Sequence, residues 1–88
     1  YVYILFSDKD KHLYTGFSPN LKARLKKHKA GKVQSTKNRL PVDLIYYEAY
    51  VSEQDARERE KYFKTGWGRK YVYKVLNSTL GNLKREDS

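Results

Sequence analysis

The sequence predicts a single small α+β domain, in which a three-stranded antiparallel sheet is flanked by three helices in the order ββαβαα. Eighty-eight residues are enough for one hydrophobic core. Runs of aromatic and β-branched residues alternate with segments of helical periodicity, and a short polar turn joins the first two runs as in a hairpin. The chain has no cysteine, which excludes disulfides, zinc-thiolate sites and cysteine nucleophiles.

Three segments have the composition of strands. Residues 1–6 are apolar on both faces, which predicts a central strand covered on both sides. Residues 13–17 resume the pattern after a polar turn and complete a hairpin. Residues 42–51 predict the third strand, after an aperiodic basic loop over residues 32–41.

Capping signals mark the first two helices. Ser18 and Pro19 suit the N-cap and first position of a helix that runs to about Lys29, with Gly31 as a left-handed stop. Ser52 opens a capping box for a second helix, which we expect to end near residue 66.

A third helix is predicted from about Arg69, with an apolar stripe and Gly81 as its stop. The stripe consists of Val72, Val75, Leu76 and Leu80. We therefore expect one domain over residues 1–81 and a polar tail over residues 82–88.

The net charge of +9 is concentrated in one region. Residues 11–42 contain nine basic side chains and no acidic one, a pattern typical of a surface that binds a polyanion. Nucleic acid is the favoured partner, while an anionic membrane, an acidic protein or a plain solubilising face are the alternatives. The expected phosphate contacts are Lys22, Lys26, Lys37 and Arg39, with Arg69 and Lys70 as further candidates.

Membrane insertion and secretion are not expected. The longest apolar run, residues 1–6, is too short for a membrane span or a signal peptide. We expect a cytoplasmic, intracellular protein.

Glu60 is a carboxylate within the apolar face of the second helix. At 100° per residue it shares that face with Ala56, Phe63 and Trp67, which predicts that it points towards the sheet. Burying an unpaired carboxylate is costly, so it needs a cation or several donors. It is either a structural partner of Arg24 or a tyrosine hydroxyl, or a functional group.

Four other residues carry chemistry close to the predicted sheet. Arg24 and His28 lie on or beside the inward face of the first helix, where a snorkelling arginine and a helix-end histidine are the simpler explanations. The hairpin can bring Tyr3 and Tyr14 to neighbouring positions, although buried tyrosines are usually core residues. Gly16 marks a close approach of backbone or ligand.

These pieces together resemble the GIY-YIG endonuclease superfamily. Tyr1-Val2-Tyr3 and Tyr14-Thr15-Gly16 are similar to the two halves of the family name. Residues 20–28 resemble the N-L-x-x-R-x-x-x-H/Y helix, and residues 55–64 the A-x-x-x-E-x-x-x-K helix. The likeness covers roughly residues 1–80. It is closest to short stand-alone members related to the nuclease domain of the excinuclease C subunit.

The resemblance implies a three-stranded antiparallel sheet and hydrolysis of DNA phosphodiester bonds, in repair or processing, with one Mg²⁺ or Mn²⁺ ion. Glu60 would hold the metal, Tyr3 would help to activate the attacking water, and Arg24 would bind the scissile phosphate. Tyr14 and His28 match positions that support proton transfer. Asn77 is the nearest candidate for an asparagine that some members place after the metal-binding helix. Phe17 stands where the excinuclease branch has a lysine, and Lys11 or His28 are candidates to replace it.

Three classes of function follow. The leading hypothesis is a metal-dependent DNA endonuclease; the second is a non-catalytic nucleic-acid-binding module on the same fold, and the third a basic adaptor for acidic proteins. Because no segment of the sequence is predicted to read DNA sequence or structure, we expect weak specificity or a partner protein that supplies it. The oligomeric state stays open.

Overall fold

A computed structural model describes residues 1–85 as three strands and four helices around one antiparallel sheet. The sheet order is β2-β1-β3, with β1 hydrogen-bonded to both neighbours. This confirms the α+β class and the central position of the first strand. The elements are β1 (Val2–Ser7), β2 (Leu13–Phe17), α1 (Leu21–Lys29), β3 (Val42–Glu48), α2 (Glu53–Phe63), α3 (Gly66–Val75) and α4 (Asn77–Arg85).

Strand β1 is buried along its whole length because both faces of the sheet are covered. On one face, Tyr3 and Leu5 pack with the apolar side of α1, chiefly Leu21 and Leu25. The other face packs against α2 and α3 through Val2, Ile4, Ala56, Phe63 and Val72. The central strand therefore separates an α1 layer from an α2–α3 layer.

Helix α1 begins later than the capping signal suggested. Its N-cap is Asn20, whose side chain accepts a hydrogen bond from the Ala23 N–H. The Ser18 hydroxyl instead accepts from the Asn20 N–H and donates to the Asn20 carbonyl, which forms a local turn before the helix. The predicted Ser18 cap is wrong, whereas Gly31 does adopt a left-handed φ of 75° after the helix.

Helices α2 and α3 meet at an abrupt junction over residues 64–66. Helix α2 ends at Phe63, and Thr65 caps α3 by accepting a hydrogen bond from the Gly68 N–H. A side chain at residue 68 would collide with the Tyr62 carbonyl oxygen and Phe63 Cα, so only glycine allows this close approach. Trp67 consequently belongs to α3 and is 76% exposed, and its predicted place on the inward face of α2 is wrong.

The predicted third helix is divided in two. Helix α3 ends at Val75. At its C-cap, Leu76, the backbone departs from helical geometry (φ −104°, ψ 24°), and α4 continues through Gly81 to Arg85. Val72 and Leu80 of the predicted stripe are buried, but Val75, the last residue of α3, is exposed. The stop at Gly81 is therefore wrong. Residues 86–88 of the predicted tail lie outside the described residues.

Strand β3 is also shorter than expected and ends at Glu48, before the fully exposed Val51. Among the helices described within residues 1–85, none has the length and apolar character needed to cross a bilayer.

Candidate functional site

Tyr3 is the centre of a polar cluster on the α1 face of the sheet. It lies in the fully buried central strand and has no exposed surface. Its hydroxyl is 2.8 Å from Nε2 of His28, a residue from the last turn of α1 that is also fully buried. The opposite ring nitrogen, Nδ1, is 2.7 Å from the hydroxyl oxygen of Thr36. A continuous hydrogen-bonded chain therefore runs from strand β1 through α1 to the loop after it.

Gly16 and Tyr14 place β2 against this chain. Gly16 pairs with Tyr3 in the sheet, and a Cβ at residue 16 would collide with the Tyr3 ring and hydroxyl. The ring of Tyr14 lies 6.4 Å from that of Tyr3 and 5.4 Å from that of His28. The hairpin thus brings the two phenols together as predicted, and Tyr14 is the one that is only half-buried.

Arg24 approaches the two phenols from the middle of α1, one turn before His28. Its pKa is raised, chiefly by hydrogen bonding with the Tyr3 hydroxyl, and Tyr14 acts in the same direction. Among the residues that the structure describes, its buried Nε has no hydrogen-bond partner. Because a buried N–H without an acceptor is costly, this guanidinium is held in place without being fully satisfied.

The cluster favours neutral side chains around one fixed positive charge. Burial raises the pKa of Tyr3, with the Arg24 guanidinium opposing this and the charges of Tyr14 and Glu60 adding to it. Burial also lowers the pKa of His28, and the Arg24 charge lowers it further. Tyr3 and His28 are therefore both neutral at pH 7, so the imidazole donates one hydrogen bond and accepts the other.

Glu60 lies in the third turn of α2, half-buried, with its side chain 21% exposed. Its carboxylate accepts a hydrogen bond from the Lys64 ammonium at 3.1 Å, so its partner is neither Arg24 nor a tyrosine. Its charge acts on Tyr3, which places it within electrostatic range of the cluster.

A divalent cation is compatible with this donor set. Within residues 1–85, no three His, Cys, Asp or Glu side chains come together, so a cage of protein ligands is absent there. Mg²⁺ does not need one, because it binds through one or two carboxylates, retains several waters and takes oxygens from phosphate. The Glu60 carboxylate already holds a cation, the Lys64 ammonium, and the residues present fit a single hard ion.

The predicted phosphate-binding residues differ in their availability. Lys22, Lys26 and Lys37 are exposed on α1 and the following loop. Arg39 instead forms an ion pair with Asp10 and donates to the Leu13 carbonyl, which ties the loop to the hairpin. Arg69 and Lys70 are exposed on α3, on the other side of the sheet.

The remaining candidates lie apart from the cluster. Asn77 is exposed at the first position of α4, a helix that packs against α3. Lys11 is in the hairpin turn, with its ammonium 5.8 Å from the centre of the Phe6 ring. Of the two candidates to replace the lysine absent at Phe17, only His28 is part of the cluster.

Two features were missed from the sequence. Thr36 lies in an aperiodic loop, and only its complete burial and its bond to His28 reveal it. The second is a charge pattern hidden by the overall sum: residues 61–85 contain seven basic side chains and no acidic one. Acidic residues elsewhere in the chain cancel this charge in the overall sum.

The fold and the cluster define a small α+β protein in which an arginine, two tyrosines and a histidine come together on the α1 face of the sheet. Residues 1–79 match the GIY-YIG catalytic domain, and the chain belongs to this nuclease family. Among its relatives are three UPF0213 proteins from Streptococcus pyogenes: SpyM50708 from serotype M5 (strain Manfredo), M28_Spy1146 from serotype M28 (strain MGAS6180), and SpyM3_1077 from serotype M3 (strain ATCC BAA-595 / MGAS315). Each is 48% identical over 65 residues, covering 73% of this chain and 70% of the relative. No solved structure is significantly similar to the chain.

Proposed function

We propose that this protein is a divalent-metal-dependent endonuclease that hydrolyses phosphodiester bonds in DNA within the cell, in the cytoplasm. The observation that carries the proposal is the convergence of Tyr3, Tyr14, Arg24 and His28 in one packed cluster, with a guanidinium that is not fully satisfied. A purely structural cluster would satisfy that group, because an orphaned buried donor lowers stability.

Arg24 is the residue we assign to the scissile phosphate. A guanidinium presents its N–H groups in a planar fork that matches two phosphate oxygens. The Tyr3 and Tyr14 hydroxyls both favour the charged guanidinium, as the raised pKa of Arg24 reflects, before substrate arrives. Preorganised positive charge then stabilises the negative charge that grows on the phosphate as the bond breaks.

Tyr14 is the phenol we assign to the attacking water. Tyr3 has no exposed surface and a raised pKa, so the expectation that its hydroxyl reaches the attacking water does not fit its position. Tyr14 is half-buried beside Arg24 and can hydrogen-bond a water from the solvent side. Tyr3, with His28 and Thr36 behind it, positions Arg24 and Tyr14.

Glu60 is the residue that would hold Mg²⁺ or Mn²⁺. A bound divalent ion would supply positive charge for the phosphate and the leaving oxygen. Lys64 is 56% exposed, so its ammonium can move into solvent when a stronger cation binds the carboxylate. The same pairing favours a second candidate function, a metal-free nucleic-acid-binding module, because the carboxylate already has a cationic partner.

The test is nicking of supercoiled plasmid DNA with Mg²⁺ or Mn²⁺ by the wild type, Glu60→Gln and Glu58→Gln. Glu58 lies two residues away on α2 and is exposed, which makes it a matched control. We expect wild type and Glu58→Gln to nick equally and Glu60→Gln to be at least about 100-fold slower. The melting temperature should change little, since the Lys64 pair is a partly exposed helix pair worth under about 1 kcal/mol.

Two results would contradict the nuclease proposal. A Glu60→Gln protein that nicks as fast as wild type would remove Glu60 from the mechanism. Wild-type protein that binds DNA but nicks none with either metal would favour the binding module.

A further inference from the structure

Trp67 is a large apolar side chain presented to solvent. It is the single tryptophan of the chain, and 76% of it is exposed. The close packing of Gly68 against the end of α2 holds the first turn of α3 in place, so this exposure is fixed by the fold. Keeping an indole in water at a rigid position has a free-energy cost, which makes a binding role the better explanation.

The surroundings of Trp67 are cationic. The Lys70 ammonium lies 5.3 Å from the centre of the indole ring. Lys64 and Arg69 are exposed on either side in sequence, within the acid-free segment 61–85. An aromatic face combined with several cations is the arrangement that binds single-stranded nucleic acid, in which bases stack on rings and phosphates meet lysine and arginine.

A cleft adjoins these cations on the α2–α3 face of the sheet. The cleft, of about 420 Å³, separates β2 from α3, and its lining includes Tyr14 and Thr15 on one side and Lys64, Arg69 and Tyr73 on the other. A protein-docking patch is less consistent with these residues, because lysine is depleted at the centre of such interfaces.

We propose that Trp67 stacks against an unpaired base of a single-stranded nucleic acid that lies along the start of α3. This inference goes beyond the proposed nuclease function, and the stacking contact can be measured without cleavage. The phosphates next to the stacked base contact Lys64, Arg69 and Lys70.

The experiment uses the fluorescence of Trp67, which reports directly because the chain has no other tryptophan. The full chain in EDTA is titrated with an oligothymidylate of about 16 nucleotides, with an abasic oligonucleotide of equal length, and with a duplex. We expect strong quenching by oligothymidylate and little by the abasic strand, which has the same phosphates. Equal quenching by both strands would overturn the proposal.

Substitutions give a second readout. Trp67→Ala should weaken binding of oligothymidylate by about 5-fold to 150-fold and leave duplex affinity within twofold, since the lysines remain. Trp67→Phe should recover part of the loss. Tyr47→Ala is the matched control, because Tyr47 is a 53% exposed aromatic on β3, at the opposite edge of the sheet, and should leave binding unchanged.

The outcomes separate this proposal from the nuclease itself. If the wild type nicks plasmid but Trp67→Ala binds oligothymidylate as tightly as the wild type does, the stacking contact is overturned and the nuclease proposal stands. Base-dependent quenching without any nicking supports the contact and overturns the nuclease. A Trp67→Ala change that abolishes self-association and leaves strand binding intact would identify a protein interface instead.

Discussion

Two clusters in this protein are built from the same residue types but differ in how completely they are satisfied. One surrounds Arg24 on the α1 face. The other surrounds Arg59 on α2, where the guanidinium donates to both oxygens of Glu48 at 2.8 and 3.2 Å. Glu48 also accepts hydrogen bonds from the hydroxyls of Tyr46 and Tyr50, both at 2.6 Å. Every charge in the Arg59 cluster has a protein partner, whereas Arg24 has an unpaired buried N–H.

The difference separates stabilising chemistry from chemistry that is available to a ligand. The Arg59 guanidinium also lies within 5.0 Å of the centres of the Tyr62, Phe63 and Tyr71 rings, so its faces and its N–H groups are both engaged. Burial opposes ionisation of Glu48, but the hydrogen bonds from Arg59, Tyr46 and Tyr50 outweigh it and lower its pKa. A phosphate would have to displace strong existing partners there. At Arg24 the groups that act on the guanidinium are the two phenols, so a phosphate would have no carboxylate of the described residues to displace.

The largest expected effect is on catalysis at Arg24. Arg24→Ala should reduce plasmid nicking by about 100-fold or more, because one preorganised donor to the reacting group is worth that much. Stability should change by less than about 1 kcal/mol, because the substitution also removes an unsatisfied donor. Nicking rates and urea unfolding of the same preparation test both parts. An inactive variant that is also largely unfolded would show instead that Arg24 is structural.

The opposite result is expected for Arg59→Ala. This change leaves the Glu48 carboxylate, whose side chain is 16% exposed, without its cation and should destabilise the fold by about 2–3 kcal/mol. For a domain of this size that corresponds to a fall in melting temperature of roughly 10–20 °C. Below the new transition, nicking per folded molecule should match wild type. Loss of nicking without loss of stability would invalidate the distinction between the clusters.

The sequence predicted those parts of the site that follow from local patterns. The apolar run of β1 and the polar turn predicted the hairpin that brings Tyr3, Gly16 and Tyr14 together. Helical periodicity placed Arg24 and His28 one turn apart on the same side of α1. The order of these motifs was also sufficient for the family, because each is short and contained within one element.

The features that the sequence did not predict depend on contacts between distant segments. Thr36 reaches His28 only because the loop after α1 folds back over the sheet. The exposure of Trp67 depends on how tightly Gly68 packs against α2, and helical periodicity alone extended α2 too far. The Glu48–Arg59 pair joins a strand to a helix eleven residues away. Such contacts are not contained in any single periodic pattern.

A smaller effect on catalysis is expected from Thr36, which touches the cluster only through His28. Thr36→Val preserves shape but removes the hydroxyl that bonds Nδ1, so we expect nicking to fall about tenfold and stability by about 1–2 kcal/mol. Because the lost bond releases the orientation of His28, the pH dependence of nicking should also shift. Thr36→Ser should restore both rate and pH profile. A Thr36→Val protein with reduced stability but an unchanged rate and pH profile would limit Thr36 to packing.

The smallest effect separates the two clusters by the pH at which each loses stability. Burial lowers the pKa of His28 in the folded protein below its unfolded value of about 6.5. Below pH 6.5 the unfolded chain therefore binds a proton that the folded chain rejects, and stability falls by up to about 1.4 kcal/mol per pH unit until the folded pKa is reached. The Glu48 contribution has the same sign but a lower window: it is present above the unfolded pKa of Glu48 and is lost as pH falls through its lowered folded value.

Urea unfolding of wild type and His28→Gln at pH 7.5, 6.5 and 5.5 measures the first window alone. We expect the stability of wild type to decline across this range and the slope of His28→Gln to be close to flat, whatever its absolute stability. Equal slopes in the two proteins would mean that His28 takes up a proton as easily when folded as when unfolded, which contradicts the neutral imidazole on which the Tyr3–His28–Thr36 chain depends.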